Sequence, residues 1–161
     1  MSTQMKTEES EQYKLDEIDR RVLDVYQRDA SLSYKELSNA VELPPSTIYD
    51  RIKKLRRNGT IKTVIPLLDY EKLGLLTTAW VLIKISREKG LERVAENVTR
   101  IHGVMEVHGI AGEYDIMVKV KVRDNLELHT TTDLIARLEG VHDTFSTMAL
   151  CTIKEDIRIS V

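Results

Sequence analysis

The apolar positions in the first third of the chain follow the period of three successive α-helices. The first helix is predicted from the apolar set Leu15, Ile18, Val22, Leu23 and Tyr26. A second helix is predicted to begin at Ser33, because Ser33 and Glu36 have the spacing of a capping box. Leu32 and Leu37 add the matching hydrophobic staple. The double proline at 44–45 ends this helix and starts a third.

The third predicted helix has one apolar face and one polar, basic face. Ile48, Ile52 and Leu55 fall at i, i+4 and i+7 and are expected to point inward. The opposite face carries Ser46, Asp50, Lys53, Lys54 and Arg57. Asn58 and Gly59 should close the helix with a left-handed residue. A short helix, a tight turn and a second helix with such a face predict a helix-turn-helix, whose second helix enters the DNA major groove.

The rest of the chain alternates between strand and helix patterns. Strands are predicted at 77–85, 104–110, 116–122 and 145–153, and helices over 91–101 and from Asp124 or Asn125 onward. The helix-to-strand junction at 100–104 recurs at 137–141, 37 residues later, which indicates two related halves. The order βαββαβ predicts a ferredoxin-like sandwich, so the fold class is α+β.

Helices are expected to cover only one face of this sheet. Trp80, Met148 and Leu150 should then form an exposed apolar patch on the other face. Such a patch on a water-soluble protein usually marks association, so we predict at least a dimer formed through this domain.

Composition narrows the class of protein. The chain has 161 residues, of which 42% are hydrophobic and 31% are charged, as in soluble globular proteins. It lacks the run of about 18 apolar residues that a membrane helix needs. Because residues 1–14 are polar, we predict a cytoplasmic protein with a disordered tail over 1–14. The predicted domains are 15–62 (helix-turn-helix, DNA-binding), 63–74 (extended strand and hinge linker) and 75–161 (ferredoxin-like, for effector binding and oligomerisation).

Positive charge is concentrated in one place. The formal charge of the chain is -2, yet residues 44–62 hold six Lys or Arg and a single acid. A basic helix can be no more than a solvated surface, but the capped helix upstream and the small hydroxyl residues at the leading end favour a site for duplex phosphates. The predicted DNA-binding residues are Ser33, Pro45, Ser46, Thr47, Tyr49, Asp50, Arg51, Lys53, Lys54 and Arg57.

The sequence contains no recognisable motif for metal binding, nucleotide binding or hydrolysis. The four histidines are scattered, no Cys or His pair has zinc spacing, and no nucleotide-binding or hydrolase motif occurs. Cys151 lies in an apolar run and is predicted to pack in the core. We therefore predict neither an enzyme, a metal site nor a cofactor.

The residues from Leu15 to Glu155 resemble the Lrp/AsnC family of prokaryotic transcription regulators. The resemblance rests on "LDEIDRRVLDVYQRDA", "SYKELSNAVELPPSTIYDRIKKLRRNGTIKTVIPLLDYEKLG", "GVMEVHGIAGEYDIMVKVKV" and "ARLEGVHDTFSTMAL". One departure is Pro44, where members commonly carry a Ser that caps the recognition helix. The resemblance implies a winged helix-turn-helix that binds DNA. It also implies a second domain that forms dimers, assembles them into tetramers or octamers and senses an amino acid.

The resemblance also implies where an effector lies, namely between dimers, near the loop joining the second and third strands and near the last strand. The predicted effector-binding residues are Gly112, Glu113, Tyr114, Asp115, Thr147 and Ala149. Glycine leaves backbone amides open to an α-carboxylate, and Asp115 offers a counter-charge for an α-ammonium. The alternative is that Gly112 only permits a tight turn and Asp115 only caps it. Ser146 and Thr147 favour a polar effector side chain.

Together these predictions indicate that the protein is a DNA-binding transcription regulator that responds to a small effector, expected to be an amino acid bound between dimers. Two rival functions stay open. An architectural DNA-compacting protein would share every DNA-facing feature, and a metabolite-sensing module would use the helix-turn-helix to bind a protein partner.

Overall fold

The computed structural model describes residues 13–86 and 90–161. Along these residues the order is α1 (Glu17–Tyr26), α2 (Tyr34–Val41), α3 (Pro45–Arg57), β1 (Thr77–Ile85), α4 (Leu91–Val98), β2 (Val104–Gly109), β3 (Ile116–Val122), α5 (Asn125–Ala136) and β4 (Val141–Met148). The chain divides into two compact units, one of residues Met1–Pro66 with Glu155–Val161 and one of Leu67–Lys154. Residues 1–12 of the predicted tail lie outside the described residues.

Local capping signals place the helices of the first unit. The side chain of Asp16 accepts from the amide of Asp19 to cap α1, and Ser33 with Glu36 forms the predicted capping box of α2. The apolar faces of the three helices then pack together, with Val22, Leu37, Val41, Ile48 and Ile52 fully or almost fully buried. The predicted helix-turn-helix is confirmed, including the start of α3 at Pro45.

The turn between α2 and α3 is tight. Glu42 adopts a left-handed conformation, with φ 56°, and the amide of Leu43 donates to the carbonyl of Ser38 over 3.1 Å. Pro44 is the N-cap of α3 and supplies no side-chain hydrogen bond, while Pro45 occupies its first turn. The proline pair therefore sets the start of α3 through its restricted φ angles.

The second unit is a four-stranded antiparallel sheet in the order β2-β3-β1-β4, as the predicted ferredoxin-like fold requires. Side chains of β1 and β3 alternate, and Val81, Ile83, Ile116, Val118 and Val120 form the core with α4 and α5. Gly103 and Gly140 end the two related helix segments with positive φ angles of 84° and 96°. These two equivalent glycines match the predicted repeat of the helix-to-strand junction.

Some predictions about the chain after α5 were wrong. The last strand covers Val141–Met148 rather than 145–153, because it pairs with β1 from the residue after Gly140 onward. Cys151 is exposed rather than packed in the core, since the sheet has ended before it. Met148 is exposed, but it pairs with the buried Ala79 and so lies on the helix-covered face, while Leu150 follows the strand.

The linker and the C-terminal end also differ from expectation. No strand is assigned within 63–74, where residues 70–74 form turns, because a strand needs a hydrogen-bonding partner. Residues Glu155–Val161, predicted as part of the second domain, belong to the first unit. The side chain of Gln27 holds them there, accepting from the amide of Ile159 over 3.2 Å and donating to its carbonyl over 2.5 Å.

Candidate functional site

The outward face of α3 is polar, cationic and open to solvent. The residues exposed on it are Ser46, Tyr49, Asp50, Lys53, Lys54 and Arg57. Neither Lys53 nor Arg57 forms an ion pair with a described residue. Their positive charge is therefore not neutralised by these neighbours and can act on a polyanion.

The start of α3 adds backbone donors to this face. Pro45, Ser46 and Thr47 form the first turn, with Thr47 half-buried and the other two exposed. Pro45 has no N–H, but the amides of Ser46 and Thr47 have no partner inside the helix, and the helix dipole there favours an anion. Ser33 is exposed, but its hydroxyl donates to Glu36 over 2.7 Å and caps α2.

Arg51 is placed differently from the other predicted DNA-binding residues. Its guanidinium donates to Asp16 and, over 3.0 Å, to the fully buried carboxylate of Asp19. The hydrogen bond that Arg51 donates to Asp16, and next the one that it donates to Asp19, raise the pKa of Arg51 above its ordinary value. Arg51 therefore joins α3 to α1 instead of presenting its charge to solvent.

Aromatic rings hold two cations of the exposed face. The ammonium of Lys54 lies 4.4 Å from the ring centroid of Tyr13, and that of Lys53 lies 5.7 Å from the ring of Tyr49. Tyr34 packs edge-on against Tyr49, with ring centroids 5.5 Å apart. Sequence reasoning missed Tyr13 and Tyr34, since neither belongs to the basic run. No local signal in the sequence indicated the ion pairs of Arg51, because Asp16 and Asp19 lie 35 and 32 residues away from it along the chain.

The loop between β2 and β3 is tied to the end of β1 by Asp115. The amide of Asp115 donates to the carbonyl of Ile83 over 2.9 Å, and its carboxylate accepts from the amide of Ile85 over 2.8 Å. Asp115 is therefore partly a capping residue, as the alternative interpretation held. A carboxylate has further acceptor positions, so this bond leaves room for a cation.

The other residues of this loop differ in exposure. Gly112 has a φ angle of 157°, and an added Cβ would meet no atom within 4 Å. Glu113 is exposed, while the ring of Tyr114 lies 6.4 Å from that of Phe145 on β4. The loop therefore combines an exposed backbone at Gly112 with two neighbouring aromatic rings, those of Tyr114 and Phe145.

The two predicted parts of the effector site lie apart within one chain. Thr147 pairs with Trp80 on β1, and the amide of Ala149, just past β4, donates to Thr78 over 2.9 Å. Asp115 bonds to Ile85, five residues along β1 from Trp80. At about 3.4 Å per residue that is roughly 17 Å of strand. One chain does not bring these residues together.

Two other kinds of feature are absent from the described parts of the chain. No helix there is long and apolar enough to cross a membrane. Within residues 13–86 and 90–161, no group of three or more His, Cys, Asp or Glu side chains is placed to hold a metal ion.

A helix-turn-helix with a cationic second helix, joined to a ferredoxin-like domain, defines the class of two-domain DNA-binding regulators. Residues 15–62 match the family model of winged helix-turn-helix DNA-binding domains, and residues 78–159 match that of the Lrp/AsnC ligand binding domain. The chain therefore belongs to the Lrp/AsnC family of DNA-binding transcription regulators, as its sequence indicated.

Relatives and solved structures agree with this assignment. The HTH-type transcriptional regulator FL11 of Pyrococcus abyssi is 37% identical over 147 residues, covering 91% of this chain and 97% of the relative. A transcriptional regulator of Neisseria meningitidis, solved as its L-Met complex, is 28% identical with a TM-score of 0.84, covering 91% and 96% of the two chains. Escherichia coli AsnC, 22% identical with a TM-score of 0.84 over 92% and 100% of the two chains, shares the fold.

Proposed function

We propose that this regulator is a homo-oligomer that binds palindromic DNA through α3 and responds to an amino acid bound between its dimers. The exposed cationic face of α3 is the observation that carries the DNA-binding part. The proposed contacts are Pro45, Ser46, Thr47, Tyr49, Asp50, Lys53, Lys54 and Arg57, with Ser33 at the start of α2. Arg51 is left out, because its guanidinium already bonds to Asp16 and Asp19.

Self-association is supported by the open face of the sheet. Trp80 and Phe145 are 36% and 52% exposed, and Phe145 pairs with Leu82 on the neighbouring strand. Large apolar side chains grouped on one surface favour burial against a second copy. A two-fold dimer places two recognition helices in successive major grooves, roughly 34 Å apart or a multiple of it, so the operator should be close to palindromic.

The amino-acid part of the proposal has two supports. A structural relative from Neisseria meningitidis is an L-Met complex. In addition, the loop with Asp115 and the strand end with Thr147 and Ala149 lie far apart along β1, so a pocket that uses both needs two chains. Asp115 would pair with the α-ammonium while the amides near Gly112 receive the α-carboxylate.

The salt dependence of DNA binding tests the role of α3. The magnitude of the slope of log K against log salt, called the salt slope below, falls by about 0.9 for each lost phosphate contact. Replacing Lys53 and Arg57 by Ala should therefore lower the salt slope by about 1.8. The matched control replaces Arg93 and Arg100, exposed cations of the α4 segment, and changes the net charge equally. A slope unchanged in the first variant, or changed equally in both, contradicts the assignment.

Calorimetry against the twenty amino acids tests the effector site. Asp115→Asn is the sharper variant, because an amide oxygen can still accept from Ile85 while the negative charge is lost. We expect this variant to lose amino-acid affinity and to retain DNA affinity. Binding of an amino acid at the wild-type level contradicts the role of Asp115.

The same experiments separate the two rival functions. An architectural protein gives a dense footprint with little sequence preference among DNA pools. A metabolite-sensing module that acts on a protein partner shows no salt-dependent DNA binding at all.

A further inference from the structure

Tyr13 links the segment before α1 to the recognition helix. This residue lies outside the matched helix-turn-helix range, which begins at residue 15. Its hydroxyl donates to Asp19 over 2.5 Å, and its ring lies 4.4 Å from the ammonium of Lys54. One side chain therefore contacts both α1 and α3.

The contact with Asp19 fixes the position of the Tyr13 ring. Asp19 is fully buried and also accepts from the amide of Asp16 over 3.2 Å and from Arg51 over 3.0 Å. Arg51 and Lys54 are three residues apart on α3 and so lie on one flank of the helix. The segment 13–19 thus runs along that flank, with Arg51 bonded and Lys54 held over a ring.

Arg51 and Lys54 differ in their capacity to bind a further anion. The guanidinium of Arg51 is bonded to two carboxylates, so its charge is neutralised within the unit. The face of an aromatic ring attracts an ammonium without neutralising its full charge, and the N–H groups that point away from the ring can still donate. Lys54 is exposed, and no described carboxylate forms an ion pair with it.

We propose that Tyr13 is a positioning residue for DNA binding, which holds the Lys54 ammonium on the phosphate-facing surface of the recognition helix. The inference rests on the proposed DNA-binding role of α3. A free lysine side chain loses much rotamer freedom when it binds a phosphate. Ordering Lys54 over the ring in the unbound protein removes part of that entropy cost and so increases affinity.

A double-mutant cycle on the full chain tests the proposal. Ordering one long side chain on binding costs about a factor of two to ten in affinity, so removing part of this cost beforehand corresponds to about a two- to fivefold change. Tyr13→Leu should weaken DNA binding by that factor when Lys54 is present and should have no effect in the Lys54→Gln background. Lys53 is the matched control, since its ring partner is Tyr49. In the Lys53→Gln background, Tyr13→Leu should retain its full effect.

The salt dependence supplies a readout that a purely structural role does not move. Tyr13→Leu removes no charge, yet it should lower the salt slope toward that of Lys54→Gln, because Lys54 is no longer held on a phosphate. Tyr13→Phe keeps the ring but loses the bond to Asp19 that fixes it, so its salt slope should lie between those of the wild type and Tyr13→Leu. All binding is measured below the melting temperature of each variant.

Three results overturn the proposal. The first is that Tyr13→Leu and Lys54→Gln change the DNA affinity independently. The second is that Tyr13→Leu leaves the salt slope unchanged. The third is that Tyr13→Phe lowers the salt slope as much as Tyr13→Leu does. In each of these cases the proposed DNA-binding function still stands if the double variant Lys53→Ala, Arg57→Ala has a reduced salt slope. Wild-type protein without salt-dependent DNA binding refutes the proposed function itself.

Discussion

Replacing Asp19 by Ala tests the buried connection between α1 and α3. The carboxylate of Asp19 is fully buried and accepts from the Tyr13 hydroxyl, the Asp16 amide and the Arg51 guanidinium. Hydrogen bonds to charged groups contribute about 1.5–3 kcal/mol each, but Tyr13 and Arg51 are only partly buried and can turn to water. The bond from the Asp16 amide is one half of the capping box and accounts for about 1 kcal/mol of the expected loss. We expect the first unit to lose about 3 kcal/mol of its free energy of unfolding.

Thermal unfolding gives a clear readout of this change. A loss of 3 kcal/mol lowers the melting temperature of a unit of this size by about 12–24 °C. Far-ultraviolet circular dichroism follows the helices, while fluorescence of Trp80, the single tryptophan, follows the sheet. The dichroism transition that belongs to the first unit should move, and the Trp80 transition should stay.

The control for this experiment is Glu17→Gln, which removes an exposed acid from the same first turn of α1. It should cost less than about 1 kcal/mol, the usual size of a helix-dipole contribution. If Asp19→Ala costs no more than this control, the buried carboxylate does not hold α3 against α1, and our interpretation of Arg51 fails with it.

Three other perturbations have defined outcomes. The bond from the Asp19 amide, and next the bond from Arg51, lower the pKa of Asp16 below its ordinary value of 3.8. These bonds stabilise the folded state above that value, and the stabilisation should be lost as pH falls through the lowered pKa. Acid unfolding of Asp16→Asn should lack this loss. Gly103→Ala should cost about 2–4 kcal/mol in chemical unfolding, because φ is 84° and the new Cβ would lie 2.8 Å from a Val122 methyl. Gly59→Ala, at φ 78° in open space, should cost about 1–2 kcal/mol. Deleting 155–161 should destabilise the first unit but not the Trp80 transition, because the bonds to Gln27 are lost.

Residues 155–161 also show how a stretch of sequence can be assigned to one domain and packed in another. The match to the ligand binding domain extends to residue 159, while the packing places these residues in the helix-turn-helix unit. Ile157, Ile159 and Val161 line an apolar cavity of about 470 Å³ there, together with Leu23 and Tyr26. Nothing in the local pattern of 155–161 indicates this partner, because the contact is made over a long sequence separation.

The helix-turn-helix was predictable because its signals are local. The capping box at Ser33, the proline pair and the apolar spacing of Ile48, Ile52 and Leu55 act within a few residues, and the bounds of α3 agree with them. The strand β4 has no such signals. Its start and end depend on pairing with β1, so an apolar run that continued to 153 was misleading.

Sequence alone therefore determined the order of the elements, the fold class and the helix that carries the positive charge, because helix caps and hydrophobic periods are short-range properties. Only the tertiary structure decided what each charge does. Arg51, Lys53 and Lys54 are close neighbours of similar chemistry in the sequence. Packing against α1 and Tyr13 neutralises Arg51, orders Lys54 over a ring and leaves Lys53 with Tyr49. The physical reason is that a side chain's partners come from other segments, which only folding brings near.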